Sequence, residues 1–158
     1  MVSTLSWRMN VVTDRGRESP MLRGLTTVNF YADDLTAAQA WYTELLGVEP
    51  YFVRALEGAP AYIEFRLGDY QHELGIIDSR FATPDRSRGA ENTMTYWHVD
   101  DLDASVERLL SLGATLHGKP VEHGPGFVTA SVADPFGNIL GVMFNQHYLD
   151  ILAAKAGA

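Results

Sequence analysis

The sequence predicts an α+β fold made of two tandem βαβββ modules whose strands curve into a cupped sheet. An internal repeat carries most of this. Thr27–Leu35 (TVNFYADDL) aligns without a gap on Met94–Leu102 (MTYWHVDDL), an offset of 94 − 27 = 67. Self-similarity at a fixed offset marks a duplicated supersecondary unit. In both copies the strand-forming run meets Asp-Asp-Leu and then an amphipathic stretch that ends in Gly. A second echo follows: Tyr62–Ile77 carries two apolar runs around Gly68-Asp69, and Phe127–Phe144 carries two around Pro135-Phe136-Gly137-Asn138. Each copy therefore reads strand, helix, strand, hairpin.

The elements follow in order. Leu22–Tyr31 is rich in β-branched and aromatic residues and predicts the first strand. Asp34 is placed to cap the next helix, because its carboxylate can accept from the free N–H groups of the first turn. Leu35, Ala38, Trp41, Tyr42, Leu45 and Leu46 recur at helical spacing up to Gly47. In the second copy Asp101 caps a stripe of Leu102, Val106, Leu109 and Leu110 before Gly113. The remaining strands are expected near Pro50–Arg54, Ala61–Arg66, Gln71–Ile77, Thr115–Val121, Phe127–Ala133 and Ile139–Asn145. The organisation read from this is an extension over 1–20, module one over 21–77, a polar Pro/Gly-containing linker over 78–92, module two over 93–145 and a helix-prone tail over 146–158.

Composition narrows the function. With 158 residues and 46% hydrophobic content the chain can bury a core of its own. Cysteine is absent, which removes disulfides, thiolate metal sites and a cysteine nucleophile, and fits a cytoplasmic protein. The net charge of −8 repels phosphate backbones, so a nucleic-acid partner is not expected. No apolar run reaches the roughly 20 residues that span a bilayer, and residues 1–20 lack the apolar region of a secretion signal.

At this point VNFYADDLTAAQAWYTELLGV, HVDDLDASVERLLSLGA and ASVADPFGNILGV together resemble the vicinal oxygen chelate superfamily, the group of glyoxalases, bleomycin-resistance proteins and extradiol dioxygenases. The resemblance covers roughly Met21 to Asn145. It implies an eight-stranded, partly closed mixed sheet, a homodimer, and a divalent metal held by side chains from the first and last strand of each module. Carried across residue by residue, those positions fall on Thr27, Glu73, Met94 and Gly141. Only Glu73 is a normal ligand for a hard or borderline cation; a threonine hydroxyl is weak, a thioether suits soft metals and glycine has no side chain. No metal or other cofactor is therefore expected.

Strand parity gives the expected lining of the cup: Thr27, Asn29, Tyr31, Gln71, Glu73, Met94, Tyr96, His98, Gly141, Met143 and Asn145. Aromatic and Met surface with a few hydrogen-bonding groups is how small-molecule pockets are lined; the alternative is that these polar groups satisfy one another. Glu73 and His98 are the candidate catalytic pair, having a carboxylate and an imidazole suited to proton transfer. Asp33-Asp34, Asp100-Asp101 and the Asp134–Asn138 turn read as caps and turn chemistry. The expected function is binding of a small organic ligand, cationic or aromatic, as in bleomycin resistance. The alternatives are a metal-dependent lyase or dioxygenase of the same group, and a metal-free acid–base enzyme using Glu73 and His98.

Overall fold

Asp34 and Asp101 both cap helices, as their positions predict. The computed structural model describes residues 25–82 and 94–157. Asp34 accepts from the Ala37 N–H at 2.9 Å and starts helix α1 (Leu35–Leu46). Asp101 accepts from the Ala104 N–H at 3.0 Å and starts α2 (Leu102–Ser111). Gly47 closes α1 in the left-handed region at φ +69°, where a side chain would be strained.

The strands are β1 (Thr27–Ala32), β2 (Phe52–Leu56), β3 (Ala59–Leu67), β4 (His72–Asp78), β5 (Tyr96–His98), β6 (Thr115–Gly124), β7 (Phe127–Ala133) and β8 (Ile139–Asn145). They form two four-stranded mixed sheets, ordered β1-β4-β3-β2 and β5-β8-β7-β6. In each, the first strand pairs parallel with the last, β1 with β4 and β5 with β8, and the other pairings are antiparallel. The two sheets have the same topology, which is what a duplicated module requires. The first strand begins at Thr27 rather than Leu22; residues 22–24, the 1–20 extension and the linker from 83 onward lie outside the described residues. The linker's opening residues are structured: Asp78 ends β4, and Ser79–Phe81 form a turn of 3-10 helix.

One face of each sheet is covered. Phe30, Ile63, Phe65, Leu74 and Ile76 lie under α1, while Val132, Leu140 and Val142 lie with Leu109 of α2, and all belong to a single buried cluster. The modules meet through the β7–β8 turn. Phe136 sits against Trp41 and Tyr42 of α1, with ring centroids 6.2 and 6.5 Å away. The buried Tyr42 hydroxyl donates to Asp134 Oδ2 at 2.6 Å. Asn138 clasps the β1 edge, accepting from the Tyr31 N–H and donating to the Tyr31 carbonyl. Sequence reasoning gave this turn a local role only. It also joins the modules.

A third helix, α3 (Gln146–Ala156), forms in the tail and is capped by Asn145. It packs on its own chain through Tyr148, whose hydroxyl donates to Asp69 at 2.8 Å and whose ring meets Tyr70 edge-on.

Candidate functional site

On the face of the first sheet opposite α1, register places Thr27, Glu73 and Arg66 side by side. The Thr27 hydroxyl donates to Glu73 Oε2 at 2.9 Å, Tyr51 donates to Oε1 at 3.1 Å, and Arg66 approaches Oε1 at 3.5 Å. The next row holds Asn29, Gly75 and Glu64. Gly75 has no side chain, and the space is taken by the Asn29 amide and the Tyr62 hydroxyl. Tyr62 also donates to Glu64. Burial, and then the Glu73 charge, raise the Glu64 carboxyl above its ordinary range and act on the Tyr62 phenol in the same direction. Tyr62, Glu64 and Arg66 were legible as the alternating partners of buried Ala61, Ile63 and Phe65, but the sequence reading left them out.

On the second sheet Tyr96 lies beside Gly141, and His98 beside Met143. His98 is 90% buried, its side chain retaining 10% exposure. Its Nδ1 accepts from the Asn145 N–H at 3.3 Å, which puts the ring proton on Nε2. Among the described residues Nε2 has no hydrogen-bond partner, and it lies 3.5 Å from Asp100 Oδ1. The Tyr148 ring stacks on His98 at 4.4 Å and 14°. Burial and the Asp69 bond push the Tyr148 phenol up to about 12.

Tyr96, His98, Met143 and Asn145 surround a cavity of about 420 Å³, closed by Tyr148 and by Leu67–Asp69 of the first module. Asp69 and Asp100 put two carboxylates on its wall. Thr27, Asn29, Tyr31, Glu73 and Gly141 do not line it, and Met94 is exposed. Glu73 therefore does not share this cavity with His98. Gln71 lies in the β3–β4 turn at φ +53°, where its side-chain amide donates to the Gly68 carbonyl, so the turn and not the cup uses it. No local signal marks Tyr148 or Asp69 as a pair, because their hydrogen bond joins residues 79 positions apart.

A divalent metal at Thr27, Glu73, Met94 and Gly141 would find one carboxylate, already engaged by Thr27, Tyr51 and Arg66. This donor set does not fit a metal cage. Among the described residues, no group of three or more His, Asp or Glu side chains is arranged to hold a metal ion.

Comparison with known proteins agrees with the fold. No curated protein matches the chain. A glyoxalase/bleomycin resistance protein from Catenulispora acidiphila DSM 44928 is 25% identical over 76% of this chain and 97% of its own, with a TM-score of 0.52. A lactoylglutathione lyase from Agrobacterium tumefaciens is 22% identical over 76% and 92%, with a TM-score of 0.56. A superfamily member from Sphaerobacter thermophilus DSM 20745 is 18% identical over 78% and 98%, with a TM-score of 0.59. The family model described as Glyoxalase/Bleomycin resistance protein/Dioxygenase superfamily matches residues 24–142, and the chain belongs to that superfamily.

Proposed function

We propose that this protein sequesters a small, planar, cationic aromatic molecule without the help of a divalent metal, in the manner of bleomycin-resistance proteins. The observation that carries the reading is the cavity walled by Tyr96, His98 and Tyr148 with Asp69 and Asp100 at its side. Aromatic faces and carboxylates together attract a flat cation, and the net charge of −8 adds to the attraction. Met143 and Asn145 complete the wall, one adaptable and apolar, the other polar. Thr27, Asn29, Tyr31 and Glu73 lie on the open face of the first sheet, outside this cavity. The chain works as a cytoplasmic homodimer in this reading; Tyr51, Phe52, Val53 and Leu56 on and beside the outer strand β2 leave apolar surface for a partner copy.

The test uses purified protein and proflavine, a planar aromatic cation. Fluorescence titration is expected to give saturable binding that survives EDTA dialysis, with elemental analysis finding no stoichiometric metal. Tyr148→Ala removes one stacking face and is expected to weaken binding about three- to tenfold. A stoichiometric divalent ion that disappears together with binding in Glu73→Ala would overturn the reading in favour of metal-dependent chemistry.

A further inference from the structure

The two modules are not equivalent at their seam, and the difference leaves a second cavity. In the first copy Trp41 and Tyr42 grip Phe136 from the opposite module's turn. The 67-residue offset puts Arg108 and Leu109 at the matching places of the second copy. The turn of module one that faces them brings Gly68, which has no side chain to insert. Its neighbours Asp69 and Tyr70 are drawn to Tyr148 of α3 instead. Among the described residues, no side chain fills the second seam as Phe136 fills the first.

What remains is a cleft of about 550 Å³ between α1, α2 and the sheet ends, walled by Leu45, Leu46, Leu67, Trp97, Leu109 and Val142 among others. Its volume suits a molecule of drug-like size. Most of the polar side chains around it are engaged with other groups. Asp101 caps α2, the Ser105 hydroxyl donates to the Asp101 carbonyl, Arg108 pairs with Glu44, and Tyr42 is bonded to Asp134. His98 turns Nδ1 to Asn145, while its Nε2, 3.5 Å from Asp100, makes no hydrogen bond among the described residues. Recognition in this cleft therefore rests mainly on apolar contact. We infer that it is a second ligand site, adjoining the cavity of the proposed function across Leu67, Trp97 and His98, which takes an uncharged and largely hydrocarbon molecule.

N-phenyl-1-naphthylamine, a neutral dye that brightens in apolar surroundings, tests this on the full chain. Saturable one-to-one binding is expected. Its sulfonated relative 1-anilinonaphthalene-8-sulfonate is expected to bind at least tenfold more weakly, because burying a sulfonate against a mainly apolar wall is costly. Ser105→Phe places a ring in this cleft and not in the first cavity, and should abolish dye binding while the thermal melt shows a folded protein. Ser105→Leu, a smaller change, should give a partial loss and decides the matter if the Phe variant fails to fold. Tyr96→Ala alters only the first cavity and should leave dye affinity unchanged. Wild-type affinity in the folded Ser105 variants, equal binding of the charged dye, or no saturable signal would each overturn the inference. Loss of proflavine binding alone bears on the first cavity and leaves this one standing.

Discussion

Replacing Asp134 with alanine is expected to destabilise the protein by about 3–5 kcal/mol, since it strips charge-assisted bonds from several donors and leaves a phenol buried without an acceptor. Asp134 is 5% exposed. It receives the Tyr42 hydroxyl at 2.6 Å, the Phe136 and Asn138 N–H groups at 2.9 and 2.7 Å, and the Asn138 amide at 2.9 Å. The same turn positions Asn138 on β1 and Phe136 on α1, so losing Asp134 loosens the joint between modules as well as the turn. A melt should fall by roughly 2–4 °C for each kcal/mol lost in a domain of this size. A variant that melts within a degree or two of wild type would show that the turn holds itself by backbone bonds alone.

The Tyr42–Asp134 bond also predicts how stability responds to alkali. Burial, and then the neighbouring Asp134 charge, raise the Tyr42 phenol well above its ordinary value near 10. Above pH 10 the unfolded chain releases this proton while the folded chain keeps it, so the folded state binds more protons and stability falls as pH rises. Below pH 10 the contribution is fully present. Tyr148, raised to about 12, acts in the same direction. Tyr42→Phe should flatten the loss of stability in urea melts between pH 10 and 11, and an unchanged slope would place the alkaline sensitivity elsewhere.

The sequence carried the repeat, the caps and the strand faces because those signals are local. Asp34 and Asp101 sit beside the helices they start, and alternation in Thr27–Ala32 and Ala59–Leu67 separates the covered face from the open one. What it did not carry are pairings between distant residues. Nothing local in Asp134–Asn138 announces Tyr42, 92 positions away, and nothing in the tail announces that Tyr148 lies over His98. Gln71 was misplaced for a related reason: strand parity assumes an extended residue, and the turn holds it at φ +53°. That Thr27, Met94 and Gly141 are poor ligands for a hard cation is a matter of residue type and needs no structure. The cavity beside His98 was half legible, since its sheet residues came from parity and its closing residues did not.

Gly141→Ala is the sharper test of how closely the second sheet is built. A Cβ there would stand 2.6 Å from the Thr95 carbonyl oxygen and 2.7 Å from the Tyr96 ring. The Gly141 N–H already donates to that carbonyl at 3.2 Å, so the obstacle is backbone and β8 must move away from β5. Overpacking of this kind costs about 1–3 kcal/mol. At Gly75 a Cβ would meet only the Asn29 amide and the Tyr62 side chain, which can swing aside, so Gly75→Ala should disturb the open face of the first sheet more than its stability. The two variants are therefore expected to separate, with Gly141→Ala melting lower. Gly141→Glu, which puts back the carboxylate that the family resemblance assigns to a metal, meets the same obstacle and still leaves Thr27 and Met94 as its companions. Dialysis of that variant against Mn²⁺ should yield no stoichiometric metal. If Gly141→Ala is as stable as Gly75→Ala, the close approach of β5 and β8 is not what requires glycine there.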